Sequence, residues 1–594
     1  MKPNRTSLFE CRVPRPTWGV VLLAVLLVAG GRASPARPQP AGAATTPARV
    51  ADGASAGSDL PIFGESVDVD VVNVDVHVTD RDGRPVSGLT AADFEVFEDG
   101  RPVAITNFYV VDGGRRNDAP TPGDGERSLP RQAPPGGALR EEPPREEDRL
   151  HLVVFIDNWN LRPLERNRVL DDVTTFLLRT LRREDRVMLA AFGGSFKVLH
   201  PFTADPFAVD RELDRLRDVS AHLGQRDSLR REAIRDLDRA RNAAAALAAV
   251  RVYSDMVRNE LEPMFGGLRE LIDHLAGLPG RKAVLHVSSG IPMLVGEELF
   301  YAVERKFRDS TAMSFAPQYD LSRRFDDIAR QANANRVSFY MLDAGGLRPH
   351  GAGVDEQGLR TPGLAYSLAS DHAANHHSPL RYLAAETGGQ AIVNQNNILP
   401  ALGRVRDALR SFYALGFRPS GAGDQTYHRI KVRVPGRDVR VEHRAGYQHK
   451  TIDTNMREGT MAALYHFYEE NPLGLEVALQ ETLAREGSTF LVSLRLEVPV
   501  GRMTLLPVGD AREARLRLYF AVMDDEGRVS DVERFPLGLR LKEEHVAAAL
   551  GERFVHTQRL VTRGGKQKIA IGLRDELSGE ATFLARTILV GGDG

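Results

Sequence analysis

From residue 149 the chain alternates short apolar strands with helical stretches, and this restricts the fold more than any other feature. "LHLVVFI" (150–156) is an almost unbroken apolar run, the pattern of a strand covered by helices on both faces. "LERNRVLDDVTTFLLRTL" follows, with Val169, Val173, Phe176 and Leu177 at helical spacing. "DRVMLAAFGGSFKVLHPF" predicts two strands about a Gly193-Gly194 turn, and "RKAVLHVSSG" and "NRVSFYMLDAGG" predict two more. "SPLRYLAAETGGQAIV" predicts a helix, a Gly-Gly C-cap and a last strand. Helices on alternating connections imply an open, mainly parallel, doubly wound sheet. In such sheets ligands sit beyond the carboxyl ends of the strands, where Asp157, Ser288, Ser289 and Asp343 fall.

The chain's 594 residues are too many for one core, and about three to four domains are expected. Before the α/β region, "VNVDVHVTDRDGRPVSGLTAADFEVFEDGRPVAITNFYVV" reads as a small β-domain over 61–111. Val67, Val69 and Val71 alternate on one parity and Val72, Val74, Val76 and Val78 on the other, which suggests a bulge or a strand crossing. Asp68, Asp70 and Asp75 read as solvent-facing strand positions rather than cation ligands. Residues 112–148, rich in Pro, Gly, Arg and Glu, read as a disordered linker. The α/β domain is assigned to 149–450, with trailing strands in "SFYALGFRP", "YHRIKVRV" and "DVRVEHRAGY". A long amphipathic helical insert, broken at most once, is placed at 225–262. It would cover the sheet edge or project as a partner-binding arm. A linker helix (451–475) leads to a β-sandwich over 476–594, where Phe490, Val492, Leu494 and Leu496 alternate, as do Leu516, Leu518, Phe520 and Val522.

The N-terminus addresses location. Lys2, Arg5, Arg12 and Arg15 precede "WGVVLLAVLLVAGG" and the small residues Gly31 and Ala33, the layout of a secretory signal peptide over 1–33. An Ala/Pro/Gly/Ser-rich flexible leader follows over 34–60. The expected location is therefore the periplasm, the cell surface or the medium, with membrane attachment only if the signal stays uncleaved. Cys11, the single cysteine, lies inside that segment, so the mature chain would hold no disulfide. A net charge of −2 from 78 basic and 80 acidic residues supplies no field for nucleic acid.

The strand "LVVFID", the hairpin "DRVMLAAFGGSFKVLHPFT", "GRKAVLHVSSG" and "LRYLAAETGGQAIV" together resemble a von Willebrand factor type A (VWA) domain. With the preceding β-segment and "SFYALGFRP", residues 65–450 look like the exported VWFA-related proteins of the acidobacterial type. The resemblance implies a VWA-like (Rossmann-like) central domain between a small β-domain and a β-sandwich, and a metal-ion-dependent adhesion site at the top of its sheet. That site takes Asp-x-Ser-x-Ser, a Thr and a further Asp around a hard divalent cation. Here Asp157 matches the first position, but Trp159 and Leu161 occupy the serine positions and Ser289 stands where the later Asp is expected. One carboxylate with Asn158, Asn160, Ser288 and Ser289 is a weakly charged set for Mg²⁺ or Ca²⁺, so no cofactor is expected. Asp157 would instead accept hydrogen bonds from backbone N–H groups of the following turn. Trp159 either plugs the vacated site or stands as an aromatic anchor for a partner.

"SDHAANHHSPL" places His372, His376 and His377 beside Asp371 in a polar loop, and histidines four apart could hold Zn²⁺ if a third ligand joined them. No Gly-x-Ser-x-Gly surrounds Ser288 and Ser289, and no HExxH or phosphate-cradling loop occurs. The expectation is a non-catalytic exported binding or scaffold protein, contacting a protein partner through Asp157, Asn158, Trp159, Asn160, Leu161, Ser288 and Ser289, or through the insert. The alternatives are a divalent-metal-dependent adhesin with unconventional ligands and a zinc-dependent hydrolase using the His-rich loop.

Overall fold

The computed structural model describes residues 71–118, 149–220, 222–347, 364–420, 425–484 and 489–591. The signal segment, the leader, Val67, Asp68, Val69 and Asp70, and residues 119–148 of the expected linker lie outside the described residues.

The N-terminal strands are β1 (Val72–Thr79), β2 (Glu95–Glu98), β3 (Arg101–Val103), β4 (Ile105–Asp112) and β5 (Arg115–Asp118). The β-structure thus runs to Asp118, covering the first seven residues of the segment expected to be linker. The α/β domain begins with β6 (Leu150–Asp157), α1 (Pro163–Thr180), β7 (Arg186–Phe192), β8 (Phe196–Thr203) and α2 (Pro206–Leu216). It continues through α3 (Leu223–Arg239), α4 (Ala243–Ala276), β9 (Arg281–Ser288), α5 (Glu297–Phe307), α6 (Thr311–Phe315) and α7 (Ser322–Ala334). It ends with β10 (Val337–Asp343), α8 (Leu364–Glu386), β11 (Ala391–Ile392) and α9 (Leu399–Arg410).

Its sheet has the order β11-β10-β9-β6-β7-β8, parallel except for the β7–β8 hairpin. Every residue of β6 is buried. Val153 and Phe155 face the core shared with α3, α4, α5, α7 and α8, while Leu152, Val154 and Ile156 face that of α1, α2 and α9. Each such side chain adds about 1.5–3 kcal/mol of burial, which explains the unbroken apolar run. The Gly-Gly cap after α8 is present: Gly388 is left-handed at φ 73°, and a Cβ on Gly389 would stand 2.0 Å from the Phe339 carbonyl oxygen.

The insert is two helices, α3 and α4, parted at 240–242, where the Asn242 side chain caps α4 by accepting from the Ala245 N–H at 2.9 Å. Ile234, Leu237, Val250, Val257 and Leu261 are fully buried against the sheet. The insert therefore forms part of a face layer and is neither an edge cover nor a projecting arm.

The strands after α9 belong elsewhere than expected. β12 (Phe412–Phe417), β13 (Tyr427–Arg433), β14 (Arg440–Glu442) and β15 (Gly446–Gln448) complete the N-terminal module in two sheets, β14-β1-β12-β4-β5 and β15-β13-β2-β3. Val74, Val76, Phe94, Leu415, Phe417 and Ile430 form their common core. A four-residue β2 has little to bury alone; pairing with β13 lets Val96 and Val432 share one core. The module is thus discontinuous in sequence, with the α/β domain inserted between its halves.

α10 (Ile452–Ala463), expected as a linker, is a packed element: Met456 and Ala463 join Tyr519, Ala521 and Ala570. Beyond it, Thr489–Pro499 and Ala511–Met523 lie in two antiparallel sheets. Val492, Leu494 and Leu496 face Leu516, Leu518 and Phe520 across the sandwich core. Among the described residues no helix is long and apolar enough to cross a membrane.

Candidate functional site

Asp157 ends β6 with no exposed surface, and its carboxylate is closed by the chain's own donors. Asn160 donates its backbone N–H to Oδ1 at 3.2 Å and its side-chain Nδ2 to Oδ2 at 2.7 Å. The Ser288 hydroxyl donates to Oδ2 at 2.9 Å. The backbone bond is the one expected of the turn after Asp157, which winds Asn158–Asn160 into a short 3₁₀ segment. Burial pushes the Asp157 carboxyl pKa upward, opposed by these hydrogen bonds and by the nearby Arg226 guanidinium. His286 Nε2 stands 3.7 Å away, beyond hydrogen-bonding reach, and burial depresses that imidazole to about 3.

A cation does enter this site, and α3 brings it. Arg226, 3% exposed, donates through Nη1 to Asn160 Oδ1 and through Nη2 to Glu260 Oε1 at 2.9 Å. The Asn160 amide thus relays between guanidinium and carboxylate, and its two partners fix which end is nitrogen. Beside it, Arg166, fully buried, donates to Asn158 Oδ1 at 2.7 Å and to the carbonyls of Val219 and Arg217. Asn158 in turn donates to the Ser220 carbonyl at 2.7 Å. The loop after α2 is therefore tied down over the strand end.

The donor set does not fit the divalent cation that the VWA resemblance implies. Trp159 and Leu161 supply no side-chain oxygen, and Leu161 is fully buried in the core under α1. Ser289, in the place of the second Asp, donates instead to Glu165 Oε2 at 2.6 Å, and Glu165 is paired with Arg162. Among the described residues no group of three or more His, Cys, Asp or Glu side chains is arranged to hold a metal ion.

Burial corrects the expected contact surface. Asp157, Asn158, Asn160, Leu161, Ser288 and Ser289 are all buried and cannot meet a partner without opening the loops; only Trp159 keeps partial exposure. Its ring lies edge-on to Phe192 at 6.2 Å and over His222 at 4.5 Å, so close to Gly194 that a Cβ there would stand 3.2 Å away. Its Nε1–H is buried without a hydrogen-bond partner. Trp159→Phe, which deletes that unpaired donor, is therefore expected to alter stability by less than about 1 kcal/mol. Trp159→Ala should cost about 2–3 kcal/mol. Urea denaturation of both variants checks this, and a costless alanine would show that the ring is no wedge.

The His-rich segment is helix α8 and not a loop; the His372 and His376 rings lie 3.9 Å apart, while His377 turns to a different partner. His372 Nδ1 lies 3.0 Å from Glu298 Oε1, a carboxylate that also receives Arg230 at 3.0 Å. His377 Nε2 lies 2.9 Å from Asp343 Oδ2, and Asp371 pairs with Arg305 at 2.7 Å. His376 Nδ1 lies 2.9 Å from the His372 carbonyl oxygen. Periodicity could have revealed the two arginines that sequence reasoning missed: Arg226 and Arg230 fall in phase with Leu223, Ile234 and Leu237 on the buried stripe of α3.

No family model matches the chain, and no curated protein matches it. Solved structures that resemble it include an aerotolerance-related membrane protein from Bacteroides fragilis, 14% identical over 44% of this chain and 98% of that one, with a TM-score of 0.22. A von Willebrand factor type A protein from Catenulispora acidiphila is 11% identical over 74% of this chain and 66% of that one, at 0.21. The manganese-loaded TRAP protein of Plasmodium vivax is 11% identical over 51% of this chain and 94% of that one, at 0.21.

Proposed function

We propose that the chain is an exported, non-catalytic binding or scaffold protein of the VWFA-related kind, whose α/β domain engages a protein partner without a metal ion. The observation that carries this reading is the closure of Asp157: Asn160 and Ser288 fill its acceptor positions, and Arg226 stands where positive charge is needed. Since the strand-end residues are buried, contact falls to the loops around them. Leu164, Leu347 and Leu399 are 85%, 54% and 36% exposed and follow β6, β10 and β11 at the carboxyl end of the sheet. Apolar groups of this kind are suited to a protein surface.

Photocrosslinking amino acids at 164 and 347, with a control at the exposed Phe207 on the opposite end of the sheet, test this in the native cell envelope. The expected result is a crosslinked product at the two leucine positions, absent at 207 and unchanged by EDTA. A product lost with EDTA would restore the metal-dependent adhesin, and no product at either leucine would remove this end of the sheet from the binding function. Thermal melting should likewise be indifferent to millimolar Mg²⁺, Mn²⁺ or Ca²⁺.

A further inference from the structure

At the other end of the sheet, under the amino ends of β9 and β10, a cavity of about 40 Å³ lies between the α/β domain and the discontinuous β-module. It has room for roughly three waters, and thus for one small tetrahedral ion. Three guanidinium groups, Arg281, Arg336 and Arg444, and the Lys282 amine line it, against a single carboxylate, Asp75. Asp75 on β1, expected to face solvent, points inward and receives Arg281 Nε at 2.8 Å. Arg281 also donates to the Leu409 carbonyl at 2.7 Å. Arg444 donates to the carbonyls of Asn333 and Asn73, and Lys282 to that of Leu278 at 2.8 Å. Neutral carbonyls orient the guanidinium groups of Arg281 and Arg444 without cancelling their charge. The Arg336 backbone N–H donates to the Asn333 carbonyl at 3.2 Å, but its guanidinium has no hydrogen-bond or ion-pair partner among the described residues, and the residue is exposed. It stands at φ 56°, a left-handed backbone that a non-glycine residue adopts at a cost.

We infer that this cavity is a binding site for a small oxyanion, a free phosphate or the phosphoryl group of a monoester, that pins the β-module to the α/β domain. One carboxylate leaves the cluster with surplus positive charge in a partly enclosed space, where like-charge repulsion is weakly screened. The surplus registers on its members: burial and then Arg336 hold Lys282 well below the usual lysine range and bring Arg444 down to about 10. A dianion with several acceptor oxygens would match both the charge and the guanidinium donors. The site draws on β1, β9, the α7–β10 turn and the β14–β15 segment, so its occupant would bridge chain segments about 370 residues apart, from Asn73 to Arg444.

Differential scanning calorimetry of the full chain, at pH 7.5 and constant ionic strength, tests the site. Sodium chloride is exchanged for phosphate, sulfate or glycerol 2-phosphate, in the wild type and in Arg336→Asn. Asparagine tolerates the left-handed backbone, so this variant should fold at least as stably as wild type in chloride, its removal of repulsion being favourable. In wild type, phosphate should raise the melting temperature saturably, by several degrees at 20 mM, and the variant should lose most of that rise. A shift with glycerol 2-phosphate assigns the site to monoesters as well, and its absence limits the occupant to the free ion. Equal shifts in both proteins would reveal only the general salting effect of phosphate and overturn the site, as would no shift in wild type.

Discussion

Acidification from pH 7 to pH 5, in phosphate-free buffer, is expected to remove about 5 kcal/mol of stability, a large share of the roughly 5–15 kcal/mol typical of a domain. Three buried histidines account for this much. His151 has both ring nitrogens buried without a partner; burial, then the nearby His466, Lys282, Arg149 and Arg186, hold it well below the ordinary imidazole value. Burial, then Arg186 and Arg149, bring His466 to about 4 against the opposing pull of Glu469. Burial and then Arg281 bring His77 to about 4, opposed by Asp75 and the Ser411 carbonyl. These are bases whose folded pKa is lowered, so the unfolded chain takes up protons first, near 6.5, while the folded chain stays neutral. Their stability is complete above the unfolded value and is lost as pH falls from about 6.5 toward 4, at about 1.4 kcal/mol per site and pH unit. His286, which burial alone brings to about 3, adds to the loss in the same direction. Melting temperatures at pH 7.5, 6.5, 5.5 and 4.5 read the effect directly. In His151→Phe, whose new ring would sit in the same aromatic contact with Phe202, about a third of the loss due to the three should disappear. A level wild-type profile from pH 7 to 5, or a variant profile superimposable on it, would defeat the explanation.

These histidines also show where the sequence was legible and where it was not. The α/β alternation was readable because helix-covered strands must be apolar on both faces, and "LHLVVFI" is. Alternation, the mark of a strand with one buried face, located the sandwich, whose alternating residues in 489–499 and 511–523 face one core. The partners of β12, β13 and β14 were hidden: alternation tells which face of a strand is buried and says nothing of which strand, about 340 residues away, lies beside it. Asp75 was misread for that reason, since its partner Arg281 belongs to another module. The helix over the His-rich segment was missed because His372, Asn375, His376 and His377 are held by polar partners, which blurs an apolar stripe. At the candidate site, Asp157 and Ser288 were found from their place at strand ends. The groups that close the site, Arg226 and Arg166, were not, because a buried arginine breaks the patterning rule used to find the core. Such breaks mark the places where charge has been positioned at a cost.

Arg226→Met should therefore destabilise the α/β domain by about 3–5 kcal/mol, the usual consequence of removing one member of a buried charged network. The loss strands Asn160 Oδ1 and Glu260 and leaves Asp157 without a nearby cation. Asp157→Asn should also cost stability, since an amide cannot accept from Asn160 and Ser288 at all the positions the carboxylate serves. If Arg226 balances the buried carboxylate through the Asn160 amide, the two losses share a cause. The double variant should then be more stable than their sum predicts by about 1–3 kcal/mol. Trp159 provides a local reporter: the chain has two tryptophans, so a Trp18→Phe background leaves the ring beside the network as the sole indole. Urea denaturation followed by its emission, in that background and in the three variants, yields the coupling. Additivity within about 0.5 kcal/mol would mean that Arg226 and Asp157 are separate structural features. The arginine would then only anchor α3 to α4 through Glu260, and the case for a metal-independent site would rest on the missing donor oxygens at Trp159 and Leu161 alone.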